Sequence, residues 1–208
     1  MFIRHLWENP SLFFMQIWVV VFSICCHEFM HAWVALKQGD STAADAGHLT
    51  LNPFRQMKLL SLVMLVFIGL AWGMVPVNPN RMRHRWSNAL VSFAGPSVNL
   101  ALFVLSGLAI GINAAFIANP SVHLLFLICG GINMVLFVIN MIPVPGFDGW
   151  HVVSYFLPKI QSGTNELKTG IGLSLIILIF LFIDRISSFG FNATLWIGSN
   201  VRDILSLT

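Results

Sequence analysis

Apolar runs of different lengths divide the chain, and length separates those that can cross a bilayer from those that cannot. Leu12 to about Leu36, Asn88 to about Ile112 and Val122 to about Ile142 each exceed the roughly 20 residues that a spanning helix needs. Leu59 to Val75 only just reaches membrane length and is interrupted by Gly69 and Gly73 before Pro76. Ile171 to about Ile183 is a further apolar run, closed by Asp184-Arg185, and Phe191 to Leu207 reads as an amphipathic stretch at the interface. These elements predict an all-α, polytopic helical bundle, with residues 1–155 as its core and residues 156–208 as a C-terminal span and interfacial tail. Met1 to Pro10 lacks a basic region followed by a small-residue cleavage site, so no removable signal peptide is expected.

The connections carry the polar residues. Lys37 to Lys58 is small and polar, and its Gly47-His48-Leu49-Thr50-Leu51-Asn52-Pro53 stretch fits a short strand or hairpin and an ordinary interfacial loop equally well. Arg81, Arg83 and Arg85 follow the interrupted run and favour the cytoplasmic side. Asn113 to Ser121, by contrast, is uncharged.

Composition agrees with this pattern. Of 208 residues, 57% are hydrophobic and 9% charged, and the mean hydropathy is +0.82, far above a soluble domain. The net charge of +3 is scattered beside apolar runs, so it carries topology rather than a nucleic-acid footprint. Cys25, Cys26 and Cys129 all lie in apolar runs and read as small core residues rather than disulfide partners.

One stretch breaks the apolar rule inside a span. His27-Glu28-Phe29-Met30-His31 places two imidazoles and a carboxylate at membrane depth, where such groups are costly. Four residues of helix turn the two histidines to one face, about 40° apart, so both can bind one ion. Glu28 falls beside that face, where a carboxylate can accept a proton from metal-activated water without being a ligand. Chance HExxH matches occur, so a third ligand is required.

Asp148 is the candidate. It follows Asn140-Met141-Ile142-Pro143-Val144-Pro145-Gly146-Phe147, where prolines and a glycine break the helix and let the backbone return toward the bundle. Gly149 comes next. In the preceding span, Gly95 and Pro96 mark a closely packed end, and Asn99 is a polar residue at depth. An interhelical hydrogen bond accounts for Asn99 better than direct catalysis does.

The chain resembles the site-2 protease family of intramembrane zinc metalloproteases. His27-Glu28-Phe29-Met30-His31 matches its HExxH, and Asn140, Pro143, Pro145, Asp148 and Gly149 match its NxxPxPxxDG element. Gly47 to Pro53 is similar to the GRxTLNP segment, and Val75–Asn78 with Ala94–Asn99 to the PVPVNP and AGPxxN segments. The similarity covers roughly residues 12–155 and is greatest to the compact branch without PDZ or CBS domains. His48 replaces the usual Arg, Met30 a small residue, and Gly146-Phe147 the frequent Pro-Leu, but no ligand is lost. The resemblance implies His27, His31 and Asp148 on one Zn2+, Glu28 as general base and then acid, and Asn140 holding the substrate backbone or the developing oxyanion.

The expected substrate is a transmembrane protein or peptide within the lipid bilayer; no nucleic acid is implied, and the regulatory partner stays open. Helical substrates hide their scissile bonds, so an edge strand around His48, Leu49, Thr50 and Leu51 is expected to hold an extended segment. For His27 and Asp148 to lie on one side, an odd number of crossings must separate their spans. Leu59 to Val75 is therefore expected to be re-entrant, with the active site toward the cytoplasm of a multi-pass cell-membrane protein. The alternatives are an inactive family member that binds partners, a metal-binding transport component, and a hydrolase acting on a lipid or small amide. Glu28 weighs against the first two, because binding zinc needs only ligands.

Overall fold

The computed structural model describes residues 2–162 and 164–207. They form an all-α polytopic membrane fold whose principal helices are α1 (Pro10–Lys37), α2 (Lys58–Ile68), α3 (Ser87–Ile112), α4 (Pro120–Met141), α5 (Asp148–Phe156) and α6 (Asn165–Leu205). Among the described residues three apolar helices are long enough to cross a membrane, α1, α3 with its π-helical extension to Ile117, and α4, and the bent α6 makes a fourth if its two arms form one span. Two compact units are present, Met1–Val98 and Asn99–Thr208, and the boundary falls within α3.

In the first unit, Asn9 caps α1 by accepting the Leu12 N–H, and Pro10 occupies the first turn, where its missing N–H costs nothing. After α1, Asp40 is fully buried and gathers the chain: its carboxylate accepts from the N–H and hydroxyl of Thr42 and from the N–H of Asn78. Burial pushes this carboxyl up, but those donors and the nearby Arg81 outweigh it and hold it below its ordinary value.

The stretch around His48 is a loop, and no strand occurs among the described residues. The reason is local. The side-chain amide of buried Gln56 donates to the carbonyls of both His48 and Thr50, at 2.8 and 2.6 Å, taking the alternate backbone acceptors that a strand partner would use. α2 has 11 residues, about 16 Å of helix against a hydrocarbon core of about 30 Å, so it cannot cross alone. Gly69, at φ +85°, ends it in the left-handed conformation that glycine adopts without strain.

In the second unit, α4 and α6 pack through small residues. A side chain at Gly130 would meet Thr194, one at Gly131 would meet Phe191, and one at Gly107 of α3 would meet Ile197. α6 is bent by 55° between Ile179 and Leu181. The stretch from Phe191, read from the sequence as an amphipathic interfacial segment to Leu207, is helical and continuous with α6 as far as Leu205, and its Phe191 and Thr194 fit against Gly131 and Gly130 of α4.

Candidate metal centre

The motif lies in the second half of α1, and the helix places its polar side chains as the four-residue spacing requires. His27, Glu28 and His31 are each 7% exposed, on a helix whose other buried residues are almost all apolar or small. The two histidine rings meet edge to face, centroids 4.6 Å apart, and their Nε2 atoms approach to 2.9 Å. Nδ1 of His31 is 2.7 Å from the carbonyl oxygen of Val91 on α3. A carbonyl only accepts, so Nδ1 carries the proton, and Nε2 of a neutral His31 presents its lone pair toward His27.

This donor pair fits a zinc ion. Tetrahedral coordination at Zn–N distances near 2.0–2.1 Å places two nitrogens about 3.3 Å apart, a few tenths wider than here and within reach of small side-chain rotations. A fixed second nitrogen on His31 is the usual outer support of a metal-binding imidazole.

Glycines make the room. A Cβ on Gly95 would collide with Nε2 of both histidines, so the α3 backbone passes directly against the pair. Pro96, fully buried, removes the N–H that would bond the Ser92 carbonyl. A Cβ on Gly73 would likewise collide with Glu28. His48 lies in the same unit, but its Nδ1 faces the side-chain oxygen Oε1 of Gln56 at 3.2 Å; Leu49 beside it is 38% exposed, and the Thr50 carbonyl accepts from the Gln56 side chain.

In the second unit, α4 ends at Met141, and Pro143 to Phe147 form the break. Val144 is buried, Phe147 N–H returns to the Val144 carbonyl, and Gly146 has φ +100°. Pro145 follows Val144 in this turn. Asp148 is the first residue of α5, where a carboxylate is favoured by the helix dipole. At Gly149 any side chain would strike the Met141 carbonyl, so glycine lets α5 fold back onto the end of α4. Asn140 donates from Nδ2 to the Leu136 carbonyl at 2.9 Å. Asn99 donates to Asn133 Oδ1 at 2.9 Å, and Asn133 donates to the Cys129 carbonyl; both asparagines are fully buried.

Several participants escaped the sequence reading. The Val91 acceptor is a backbone atom and leaves no sequence signal. Gly73 looked like a helix breaker only. Ser61 and Gln56 are polar residues in or beside a strongly apolar helix, a signal that was present but not distinctive.

The chain is similar to "Putative zinc metalloprotease YwhC" of Bacillus subtilis, with 30% identity over 195 residues, 89% of this chain and 88% of that protein. It is also similar to "Putative zinc metalloprotease Rip2" of Mycolicibacterium smegmatis, 32% identical over 186 residues, 84% of this chain and 69% of the relative. The Mycobacterium tuberculosis protein of the same name is 32% identical over 200 residues, 86% and 70% of the two chains. No family model matches, and no solved structure matches.

Proposed function

The chain belongs to the zinc metalloprotease family that includes YwhC and Rip2, and we propose that it is an intramembrane endopeptidase of the compact site-2 protease type. It hydrolyses peptide bonds in or near transmembrane segments, with its active site toward the cytoplasmic side. The observation that carries this reading is the convergence of His27 and His31 Nε2 beside Glu28, buried in a helix long and apolar enough to span a bilayer.

His27, His31 and Asp148 are the ligands in this reading, and one Zn2+ held by them supplies the Lewis acidity that makes water nucleophilic near neutral pH. Asp148 is assigned from its residue type and its place after the proline break, the counterpart of the family's third ligand. The other steps belong to the chain. Glu28 takes the proton of the attacking water on its carboxylate and returns it to the departing amide nitrogen, so that it ends the cycle ionised as it began. His31, held by the Val91 carbonyl, keeps its lone pair on the ligand side throughout. Asn140 keeps a second amide hydrogen for the substrate backbone or the oxyanion, and His48, Leu49 and Thr50 contribute to the substrate cleft as a loop.

The arginines at 81, 83 and 85, with Lys37, Arg55 and Lys58, support the cytoplasmic placement by the positive-inside rule. The test is cleavage in liposomes. Purified protein loaded with zinc should cut a panel of single-span peptides, and Glu28→Gln should not. Hydrolysis confined to lipid esters or small amides would overturn the endopeptidase reading.

A further inference from the structure

Between the end of α2 and Asn78 the chain runs without helix or strand, and exposure alternates residue by residue from Leu70 to Val77. That period of two is the mark of an extended backbone. Ala71, Gly73, Val75 and Val77 face inward, and Trp72 and Met74 face out.

Two anchors hold this segment, one on each side of Gly73. The first is Ser61 of α2, fully buried. A serine in a helix ordinarily returns its hydroxyl to its own helix, four residues back. Here Oγ accepts from the N–H of Trp72 at 2.9 Å and donates to the carbonyl of the same residue at 2.7 Å. One hydroxyl thus satisfies both backbone groups of a residue eleven positions away. The second anchor is the Gln56 carbonyl, which accepts from the N–H of Met74 at 3.1 Å.

Gly73, suspended between them, lies so close to Glu28 that a Cβ would overlap the Cγ, Cδ and Oε1 of that side chain. The backbone at 73 is therefore the wall against which the Glu28 carboxylate rests. Its position depends on Ser61.

We propose that Ser61 is a positioning residue for Glu28, acting through the Trp72 backbone and Gly73 to fix where the carboxylate stands relative to His27 and His31. The proposal rests on Glu28 being the general base. A hydroxyl is needed because only a group that both donates and accepts can clamp N–H and C=O together; alanine removes that partner from both backbone groups of Trp72 and frees the segment. A base displaced by about 1 Å can cost up to about 10²-fold in rate. Zinc content and substrate affinity have no reason to change with it.

Two readouts test the proposal. The first is kinetic: Ser61→Ala should lower kcat by about tenfold or more, with KM and zinc content near native. Native kcat, or a change confined to KM, overturns it. Gly73→Ala, whose methyl must push Glu28 aside, should likewise lose kcat while holding zinc, and it decides the matter if Ser61→Ala does not fold. The second readout needs no activity. In a background with Cys25, Cys26 and Cys129 replaced by serine, Glu28→Cys with Gly73→Cys should oxidise readily to an internal disulfide, and adding Ser61→Ala should slow its formation. No disulfide, or a rate indifferent to Ser61, overturns the proposal. A native enzyme that cleaves no peptide would instead count against the protease reading, and the disulfide rates would still decide the role of Ser61.

Discussion

Nε2 of His27 and Nε2 of His31 lie 2.9 Å apart on one face of α1, and the ring of His31 is fixed from behind by the Val91 carbonyl. Two imidazole nitrogens this close, in a largely apolar helix, must share a proton or a cation. Glu28 stands beside the pair without being needed to hold an ion. Glu28→Gln should therefore retain zinc and lose cleavage by about 10²- to 10⁴-fold, the range for removal of a general base. Zinc analysis and peptide cleavage on one preparation check this; loss of the metal along with activity would make Glu28 a ligand instead.

Gly95 gives the pair its space. Gly95→Ala puts a methyl group in collision with both Nε2 atoms, so the histidines must part or α3 must shift. The expected result is reduced zinc occupancy together with a loss of stability of about 1–3 kcal/mol, typical of overpacking. Metal content and thermal unfolding in detergent measure the two effects separately.

Asp40 controls acid stability outside the membrane. Its folded carboxyl lies below the ordinary value of 3.8, so ionisation is favoured by folding. The stabilisation is complete above that value and disappears as the pH falls from there through the folded value. Asp40→Asn should be less stable near neutral pH by roughly 1–3 kcal/mol, the scale of hydrogen bonds to a charged group. Melting temperatures of the two proteins should converge below about pH 4, where the native carboxylate takes up its proton. Parallel curves from pH 7 to pH 3 would show that this carboxylate does not titrate with folding.

The Asn99–Asn133 bond ties α3 to α4 within the second unit. Asn133→Leu should destabilise by about 0.5–2 kcal/mol, the range for interhelical hydrogen bonds in membranes, and leave zinc content unchanged. Unfolding in detergent with parallel zinc analysis checks both halves.

How much of this was legible beforehand depends on whether the controlling interaction is local. The shared face of His27 and His31 follows from helix geometry alone. The fold-back at Gly149 follows from prolines that end α4 and a residue with no side chain to obstruct it. α2 falls short of a span because Gly69 stops it, as the interrupted run suggested. The loop at His48 was not legible, because the side chain of Gln56, eight residues on, takes the carbonyls a strand needs. The continuation of α6 past Asp184-Arg185 was not legible either. It depends on Gly130 and Gly131 receiving Thr194 and Phe191, a match of surfaces no single stretch reveals. Ser61 and Gly73 belong to the same class, since their meaning arises only where the segment after α2 meets α1.

Zinc per polypeptide, in detergent-purified protein and in its Asp148→Ala variant, is the measurement that bears most directly on the site. About one zinc is expected in the native chain and a marked loss in the variant, because three protein ligands define a catalytic zinc site. A well-folded native protein with little zinc, or a variant that holds it as tightly as the native chain, would contradict the His27, His31 and Asp148 site.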